Sequence, residues 1–325
     1  MRFFANANYD FIGKRRFALA VVAALTLPGL VLLLLRGVNY SIEFTGGTLV
    51  RIETRAPADI AALRAALDAN GVPGAEITRF GSDREFAIRA LVVGEGADAD
   101  NTALTTTAVA AALTQAVGAD GFTVVSSAAV GPKVGGELRS QAAILVLLSL
   151  LAVLIYLAFR FEWRFGIAAV VATIHDVVAT IAFIGLVRLE VSLFVVGGIL
   201  SIVGYSLNDT IVVLDRVREN LRKLQRADFQ SLLNRSINET LPRTVFTGTT
   251  ALGSLIALAV LGGDVVRPFA LVMLWGVLVG TFSSIWIASP VLLWIERRWP
   301  GPQARGVRQA PAAKPPAPRR PQPVA

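Results

Sequence analysis

Six stretches of the chain are apolar over 17 to 28 residues, long enough for a helix to cross the hydrocarbon core of a bilayer. Hydrophobic residues make up 54% of the chain and charged residues only 17%, a balance that excludes an ordinary soluble domain. The sequence therefore predicts an α-helical polytopic membrane protein with six transmembrane helices. These cover residues 17–35, 141–159, 165–187, 191–214, 245–261 and 268–295.

Basic residues predict the orientation of these helices. Lys14, Arg15 and Arg16 precede the first apolar run, which lacks a small-x-small cleavage site and is predicted to be an uncleaved anchor rather than a signal peptide. Two short loops on the far side carry one basic residue each, Arg188 and Arg267. Both termini are therefore predicted to be cytoplasmic. The net charge of +8 is attributed to this topology and to contact with anionic membrane lipids, not to nucleic-acid binding.

The long polar segment after the first helix predicts a small α+β domain outside the membrane. Its pattern gives strands at 40–53, 75–80, 85–92 and 122–127 and helices at 57–70 and 100–117. The first strand is interrupted at Gly46-Gly47, and the order βαββαβ is typical of ferredoxin-like domains. The chain has no cysteine, so this extracytoplasmic domain folds without disulfides.

Composition divides the chain into four parts. Residues 1–36 form the cytoplasmic N-terminus and first helix, 37–138 the outer domain with its connection, 139–298 a five-helix transmembrane domain, and 299–325 a disordered, basic, Pro-rich tail. Within the third part, 216–242 is predicted to form a cytoplasmic hairpin of two short amphipathic helices on the membrane surface. The apolar stripes of that hairpin are Val217, Leu221 and Leu224, and Phe229, Leu233 and Ile237.

The connection between the outer domain and the second membrane helix is rich in glycine and contains Gly131, Pro132, Gly135 and Gly136. Such a segment can be an ordinary loop. It can also be a hinge that lets the outer domain tilt against the membrane, because glycine tolerates large dihedral changes.

Polar residues inside the fourth apolar run are the strongest functional signal. Asn208 and Asp209 interrupt it, and Arg243 opens the next run from the same end. An ionisable group at membrane depth costs about 2.5–3.5 kcal/mol on insertion scales, so it indicates a functional site. Asp209 and Arg243 are predicted to lie at similar depth on neighbouring helices, with Asn208 beside them. Their pairing either couples ion movement to conformational change or locks two helices together as a permanent ion pair.

The third apolar run contains a second candidate, Asp176, preceded by the only histidine of the chain, His175. A carboxylate near the bilayer centre is a candidate for ion coupling, although it can instead hydrogen-bond serine, threonine or asparagine across a helix interface. His175 can relay protons or bond a neighbouring helix. We find no phosphate-binding glycine loop, metal-ligand cluster or nucleophile motif, so the sequence predicts no enzyme, catalytic residue, metal or cofactor.

Several blocks of the sequence carry a family resemblance. Gly-Tyr-Ser-Leu-Asn-Asp followed by Asp-Arg-Val-Arg-Glu-Asn is the most specific, and the others lie at 42–47, 130–135, 241–244 and 280–284. Together they closely resemble the SecF family, the smaller membrane subunits of the SecDF complex of bacterial protein export. Glu43 stands where this family usually has aspartate before its Phe-x-Gly-Gly turn.

This resemblance implies a half-transporter of the resistance-nodulation-division type whose six helices pair with six of SecD. The membrane aspartate and arginine that the family uses in proton coupling correspond to Asp209 and Arg243. A further essential aspartate belongs to SecD, which implies an ion path at the subunit interface. The implied location is the bacterial cytoplasmic (inner) membrane. The implied role is proton- or sodium-driven help in late preprotein translocation and release, with the SecYEG channel, SecA and, as a candidate, YajC.

Two other classes of function fit part of the pattern. A stand-alone exporter of lipids or small molecules would share the helix plan, although such exporters usually carry both halves in one chain. A passive scaffold of the translocon would use the buried charges only for structure. The sequence leaves open whether the coupling ion is H⁺ or Na⁺.

Overall fold

The computed structural model describes residue 4 and residues 7–79, 82–90, 102–223 and 228–301. Six helical spans in these residues are long and apolar enough to cross a membrane, as predicted. In chain order the elements are α1 (Arg15–Arg36), α2 (Ile42–Thr45), β1 (Gly47–Thr54), α3 (Ile60–Ala69), β2 (Glu76–Arg79), β3 (Glu85–Ala90), α4 (Thr102–Val117), β4 (Phe122–Val130), α5 (Pro132–Arg160), α6 (Trp163–Leu186), α7 (Leu193–Lys223), α8 (Phe229–Leu261), α9 (Gly263–Ser283), a π-helix (Ser284–Ala288) and α10 (Ser289–Arg298).

Some sequence predictions fall on residues beyond the described ranges. The predicted disordered tail lies outside them from residue 302 onward, and so does Leu224 in the predicted hairpin. The same holds for residues 80, 91–92 and 100–101, at the ends of three predicted elements of the outer domain.

The outer domain is a four-stranded antiparallel sheet in the order β2-β3-β1-β4, packed against α3 and α4. The predicted order of strands and helices is therefore observed. Alternate residues of β1 and β3 point into a core with the two helices, because side chains alternate between the faces of a strand. Members of this core include Val50, Ile52, Leu63, Leu67, Phe86, Ile88 and Leu113.

The first predicted strand begins later than the sequence pattern indicated. Ile42–Thr45 is a short helix, α2, and the strand starts only at Gly47. Gly46 and Gly47 have positive φ values of 74° and 125°, which residues other than glycine rarely adopt. Because Ile42 and Phe44 are both buried, their alternation was misread as strand periodicity.

The connection to the second membrane helix is not a loop. Strand β4 continues to Val130 and α5 starts at Pro132, so the predicted glycine-rich loop is wrong. Proline at the first helical position fits because its missing N–H has no intrahelical partner there. Gly135 packs on the α2–β1 turn, where an added Cβ would lie 2.8 Å from the Gly46 nitrogen. Movement about Gly131, Pro132, Gly135 and Gly136 remains a prediction.

The prediction that 216–242 forms a surface hairpin of two short, separate helices is also wrong. Residues 216–223 continue α7, and α8 starts at Phe229 and runs without interruption through Pro242 to Leu261. The described members of the two apolar stripes pack together in the main core instead of facing lipid. Polar bonds fasten the same interface, since Asn220 donates to Ser236 and to Glu239. An amphipathic pattern does not distinguish a helix partner from a membrane surface.

The N-terminal segment crosses the start of α8 as an extended strap. The Asn238 side chain accepts from the Tyr9 N–H and donates to the Tyr9 carbonyl, both at 2.9 Å. The Gly13 N–H and the Asn234 amide donate to the Asp10 carboxylate and hold its pKa below the ordinary value. The strap is therefore anchored to α8 through the backbone of Tyr9 and through the Asp10 side chain.

Close helix contacts depend on glycine. At the α1–α6 crossing, a Cβ on Gly29 would lie 2.1 Å from the Ala182 carbonyl oxygen, and a Cβ on Gly185 would lie 2.8 Å from the Gly29 carbonyl oxygen. Small residues permit such backbone approach in membrane helix pairs, where packing rather than hydrophobic burial drives association.

We predict that Gly29→Ala lowers the thermal unfolding midpoint of the detergent-purified protein. The new methyl group would collide with rigid backbone and force α1 away from α6, at a cost of about 1–3 kcal/mol. Gly253→Ala on α8 is the matched control, because nothing lies within 4 Å of its added Cβ. Equal midpoints for the two variants would show that the α1–α6 contact is not tight.

Candidate functional site

Asp209 lies on α7, 9% exposed, in the interface with α8 and the last span. Its Oδ1 accepts a hydrogen bond of 2.7 Å from the Thr244 hydroxyl, and its Oδ2 accepts one of 2.7 Å from the Ser284 hydroxyl. Each carboxylate oxygen thus has one hydroxyl donor, and each donor comes from a different helix.

Asp176 is the second buried carboxylate, on α6 and 1% exposed. Its Oδ2 accepts hydrogen bonds from Ser206 on α7 and from Ser283 on α9, the latter at 2.8 Å. Its Oδ1 lies 2.9 Å from Nδ1 of His175. The alternative that Asp176 bonds hydroxyl groups across helix interfaces is therefore observed. Its part in ion coupling stays a prediction.

The two carboxylate sites are neighbours through the helices that they share. Ser206 and Asp209 stand one turn apart on α7, whereas Ser283 and Ser284 are consecutive residues where α9 becomes the π-helix. One short piece of the last span thus supplies a donor to each carboxylate. Single π-turns inside α-helices occur frequently at functional sites, because the local hydrogen bonding is easily rearranged.

Glycines on α9 bring this piece close to α7. A Cβ on Gly280 would lie 2.8 Å from the Ser206 Cβ, and a Cβ on Gly276 would lie 2.2 Å from the Ile202 side chain. Their spacing places both glycines on one helix face. A side chain at either position would therefore collide with α7.

Arg243 and Asn208 are not bonded to the buried carboxylates. Both are exposed, and among the described residues no salt bridge joins Arg243 to Asp209. The permanent ion pair that the sequence left open is therefore absent from this structure. Arg243 directly precedes Thr244, and Asn208 directly precedes Asp209. The two polar groups consequently lie at the level of the site, on a side of α7 and α8 that the described residues leave uncovered.

That uncovered side is polar along both helices. On α7 it carries Ser201 and Gly204 besides Asn208. On α8, Thr250 and Ser254 continue the exposed side, and their hydroxyls bond carbonyls of their own helix. We call this surface the α7–α8 polar face. Small and polar residues at membrane depth are typical of helix–helix contacts rather than of lipid-facing surfaces.

The hydroxyl groups give the site a definite chemistry. The Ser283 and Ser284 hydroxyls also lie 3.1 and 3.0 Å from the carbonyl oxygens of Gly280 and Thr281. A hydroxyl is one donor and two acceptors. Each serine can therefore donate its hydroxyl proton to an ionised carboxylate. Alternatively, the serine can donate to the carbonyl of its own helix and accept a hydrogen bond from the protonated carboxyl group. A buried carboxylate with such partners can change its protonation state without leaving an orphaned polar group.

Metal binding has no comparable support. Within the described part of the chain, no three His, Cys, Asp or Glu side chains lie together as metal ligands would. The sequence signalled Asp176, Asp209 and Arg243, but the hydroxyl donors Ser206, Thr244, Ser283 and Ser284 were not identified as site residues. All four belong to the sequence blocks that carry the family resemblance, and Ser206 belongs to the most specific block, which was the available signal.

Comparison with known proteins agrees with this architecture. Residues 108–298 match the family described as protein export membrane protein SecD/SecF, C-terminal, and residues 31–58 match the SecD/SecF GG motif. Protein translocase subunit SecF of Gemmatimonas aurantiaca is 49% identical over 323 residues, 96% of each chain. Protein translocase subunit SecF of Escherichia coli O157:H7 is 36% identical and covers 88% of this chain and 87% of its own.

A solved structure shares the fold. The crystal structure of SecDF from Thermus thermophilus, described as a translocon-associated membrane protein, superposes with a TM-score of 0.79 and 38% identity. The match covers 92% of this chain but only 40% of that one, so this chain spans less than half of the SecDF polypeptide. The fold and the matches define a multi-pass bacterial membrane protein of the protein-export class. The chain belongs to the SecF family of protein translocase subunits.

We predict that Thr244→Val destabilises the protein by about 1–3 kcal/mol, because it leaves a buried carboxylate oxygen of Asp209 without its donor. Valine keeps the shape of threonine and removes only the hydroxyl. Thermal unfolding in detergent measures the effect. Thr250→Val is the matched control, since its exposed hydroxyl bonds only a carbonyl of its own helix. A Thr244→Val midpoint no lower than that of Thr250→Val would contradict the observed bond.

Proposed function

We propose that this chain, together with a SecD-type partner, uses an ion gradient to assist late-stage preprotein translocation and release on the outer face of the membrane. Membership of the SecF family supports an accessory role in protein export. The observation that carries the finer proposal is Asp209, buried between α7, α8 and the π-helix and held only by hydroxyl groups. No catalytic residue, metal or cofactor is part of it.

The ion-coupling step consists of loading and unloading Asp209. When ionised, the carboxylate accepts from Thr244 and Ser284, and when protonated it donates to a hydroxyl that has turned to its helix carbonyl. Loading removes a charge from the helix junction and weakens the attraction that Arg243, on the neighbouring uncovered surface, exerts on it. Asp176 on α6 forms the second acidic position with its serine partners, of which Ser206 stands one turn from Asp209 on α7. Either a proton or a sodium ion would serve as the coupling ion.

The α7–α8 polar face is the proposed contact with SecD. The Thermus thermophilus relative carries the SecD and SecF names in one polypeptide, which supports SecD as the partner of a chain that matches only 40% of it. Asn208 and Arg243 would then be buried between the subunits, where an ion path could pass. SecYEG, SecA and YajC are further proposed partners. We place the complex in the inner membrane with both termini cytoplasmic, following the distribution of basic residues.

A direct connection from the site to the outer domain supports mechanical coupling. The Glu43 carboxylate accepts a 2.6 Å hydrogen bond from the Leu193 N–H, at the first residue of α7. Residues 39–41, which precede Glu43, pair with the loop between α6 and α7. The Ser41 N–H donates to the Val191 carbonyl, and the Val191 N–H donates to the Asn39 carbonyl. Helix α7 therefore bears Asp209 in its middle and the outer domain at its end. Displacement of α7 during ion loading would move the outer domain.

The energy requirement favours several ions per stroke. Moving one charge through 100 mV supplies about 2.3 kcal/mol. Shifting a two-state element from 1:99 to 99:1 takes about 5.5 kcal/mol. Three ions would therefore drive one stroke of the outer domain at that voltage, whereas one or two would fall short of the full shift.

We predict that Asp209→Asn abolishes the gradient-dependent part of preprotein export while the protein still folds. Asparagine can bond both hydroxyls but cannot exchange a proton. The measurement is export into membrane vesicles holding a fixed ion gradient, at equal levels of this chain and SecD. Asp228→Asn is the matched control, because Asp228 caps α8 and asparagine caps equally well.

Two outcomes would count against this role of Asp209. Unchanged gradient-dependent export would make the buried carboxylate structural and favour a passive scaffold. Loss of the variant from the membrane would show that Asp209 is needed for folding. Gradient-dependent export by this chain in vesicles that contain no SecD would instead favour a stand-alone exporter.

We predict that Glu43→Ala lowers gradient-dependent export and that Glu43→Gln largely restores it. Alanine removes the acceptor that caps α7, a loss of about 1 kcal/mol that leaves the fold intact, whereas glutamine keeps an acceptor oxygen. The same vesicle assay measures it, with Glu137→Ala on the exposed start of α5 as control. If Glu43→Ala exports like the wild type, the outer domain is not driven through this bond.

A further inference from the structure

A basic cavity of about 410 Å³ opens at the end of the bundle opposite the outer domain, and the proposed ion coupling does not use it. It lies between the end of α5 and the extension of α7 beyond the membrane. Its lining is entirely charged: Arg160, Asp215, Arg218, Glu219, Arg222 and Lys223.

The cavity has an excess of positive charge that the chain does not neutralise. Arg160 pairs with Asp215, and Lys223 pairs with Glu219, which also binds Arg216 from outside the cavity. Arg218 and Arg222 make no salt bridge with any described residue, and the Arg218 Nε is buried there without a hydrogen-bond partner. A buried donor without an acceptor is costly. The cavity therefore offers two guanidinium groups to an anion.

The surroundings identify the side from which such an anion would come. Helix α5 leads directly to Arg160, and its apolar side chains are open to the bilayer along this end. Leu151 and Ile155 are each 50% exposed, and Phe159, next to Arg160, is 89% exposed. A molecule with its charge in the cavity would thus have apolar surface beside it at membrane depth.

We propose that this cavity binds the phosphate of an anionic phospholipid head group, with the acyl chains along α5. Guanidinium groups match phosphate oxygens with paired hydrogen bonds, and basic pockets between membrane helices are typical sites for anionic lipids. The lining has two more cations than anions, which fits one phosphodiester group or the two phosphodiester groups of a diphosphatidylglycerol. Bound lipid would join the end of α5 to α7, the helix that carries Asp209. The assignment does not depend on ion coupling.

The test is retention of phosphatidylglycerol by the detergent-purified full chain, measured by native mass spectrometry. Each cation near a membrane surface contributes about 1 kcal/mol, which is about fivefold in affinity, so Arg218→Gln with Arg222→Gln should weaken retention about 25-fold. Arg235→Gln with Arg298→Gln is the matched control, because it removes two exposed cations that do not line the cavity. Arg222→Gln alone, at an exposed position, should weaken retention about fivefold and serves if the double variant fails to fold.

Further measurements distinguish binding of an anionic lipid from binding of other anions. Phosphatidylcholine should not be retained, and millimolar inorganic phosphate should neither bind nor displace phosphatidylglycerol. Equal binding of inorganic phosphate would make the cavity a free-phosphate site and overturn the assignment. So would equal weakening in the control pair, which would mean that the attraction is diffuse. Undiminished retention in Arg222→Gln would overturn it as well.

Discussion

The need to satisfy two buried carboxylates governs the packing of α6, α7, α8 and the last span. Asp176 and Asp209 cannot remain in a low-dielectric interior without donors, and every donor except His175 comes from another helix. Helix α7 must lie against α6, α8 and the last span at the same level. The glycines at 276 and 280 permit that approach. The π-helix adjusts the register so that consecutive serines reach different carboxylates. Small residues and irregular backbone thus stand where the polar chemistry requires them.

Periodicity was sufficient to predict the spans and the order of the outer domain, because burial repeats along each element. It could not identify the donors. Ser283 is 107 residues from Asp176, and Ser284 is 75 residues from Asp209. Serines and threonines that bond only their own helix look identical in sequence. The stripes at Val217 and Phe229 were misassigned to the membrane surface for a similar reason, since an apolar stripe does not specify what covers it. Gly131 and Pro132 suggested a loop where they start a helix.

The position of Arg243 changes how the site is understood. A salt bridge to Asp209 would have made a scaffold the simplest explanation, because a permanent ion pair fastens helices without moving charge. Hydroxyl donors leave the carboxylate free to change state, and Arg243 and Asn208 remain on an uncovered polar face. A lipid-facing surface with these residues would be costly. The α7–α8 polar face is therefore the surface that we propose a partner subunit covers. This fits a subunit of a heteromeric complex better than a complete exporter.

Helix α7 is the element through which these features can act on one another. Its 31 residues extend for about 46 Å, from the Glu43 bond at Leu193, past Ser206 and Asp209, to the basic cavity at its far end. A continuous helix such as α7 moves along its axis as one body, whereas contacts between side chains can rearrange. In the proposed mechanism, ion loading would alter the hydroxyl bonds at the middle of this helix and so bias its position. The outer domain would follow, because Glu43 bonds the backbone N–H of Leu193 on the same helix. Because packed interfaces switch between discrete arrangements, the proposed mechanism requires only a sub-ångström change at Asp209 to select between two positions of α7.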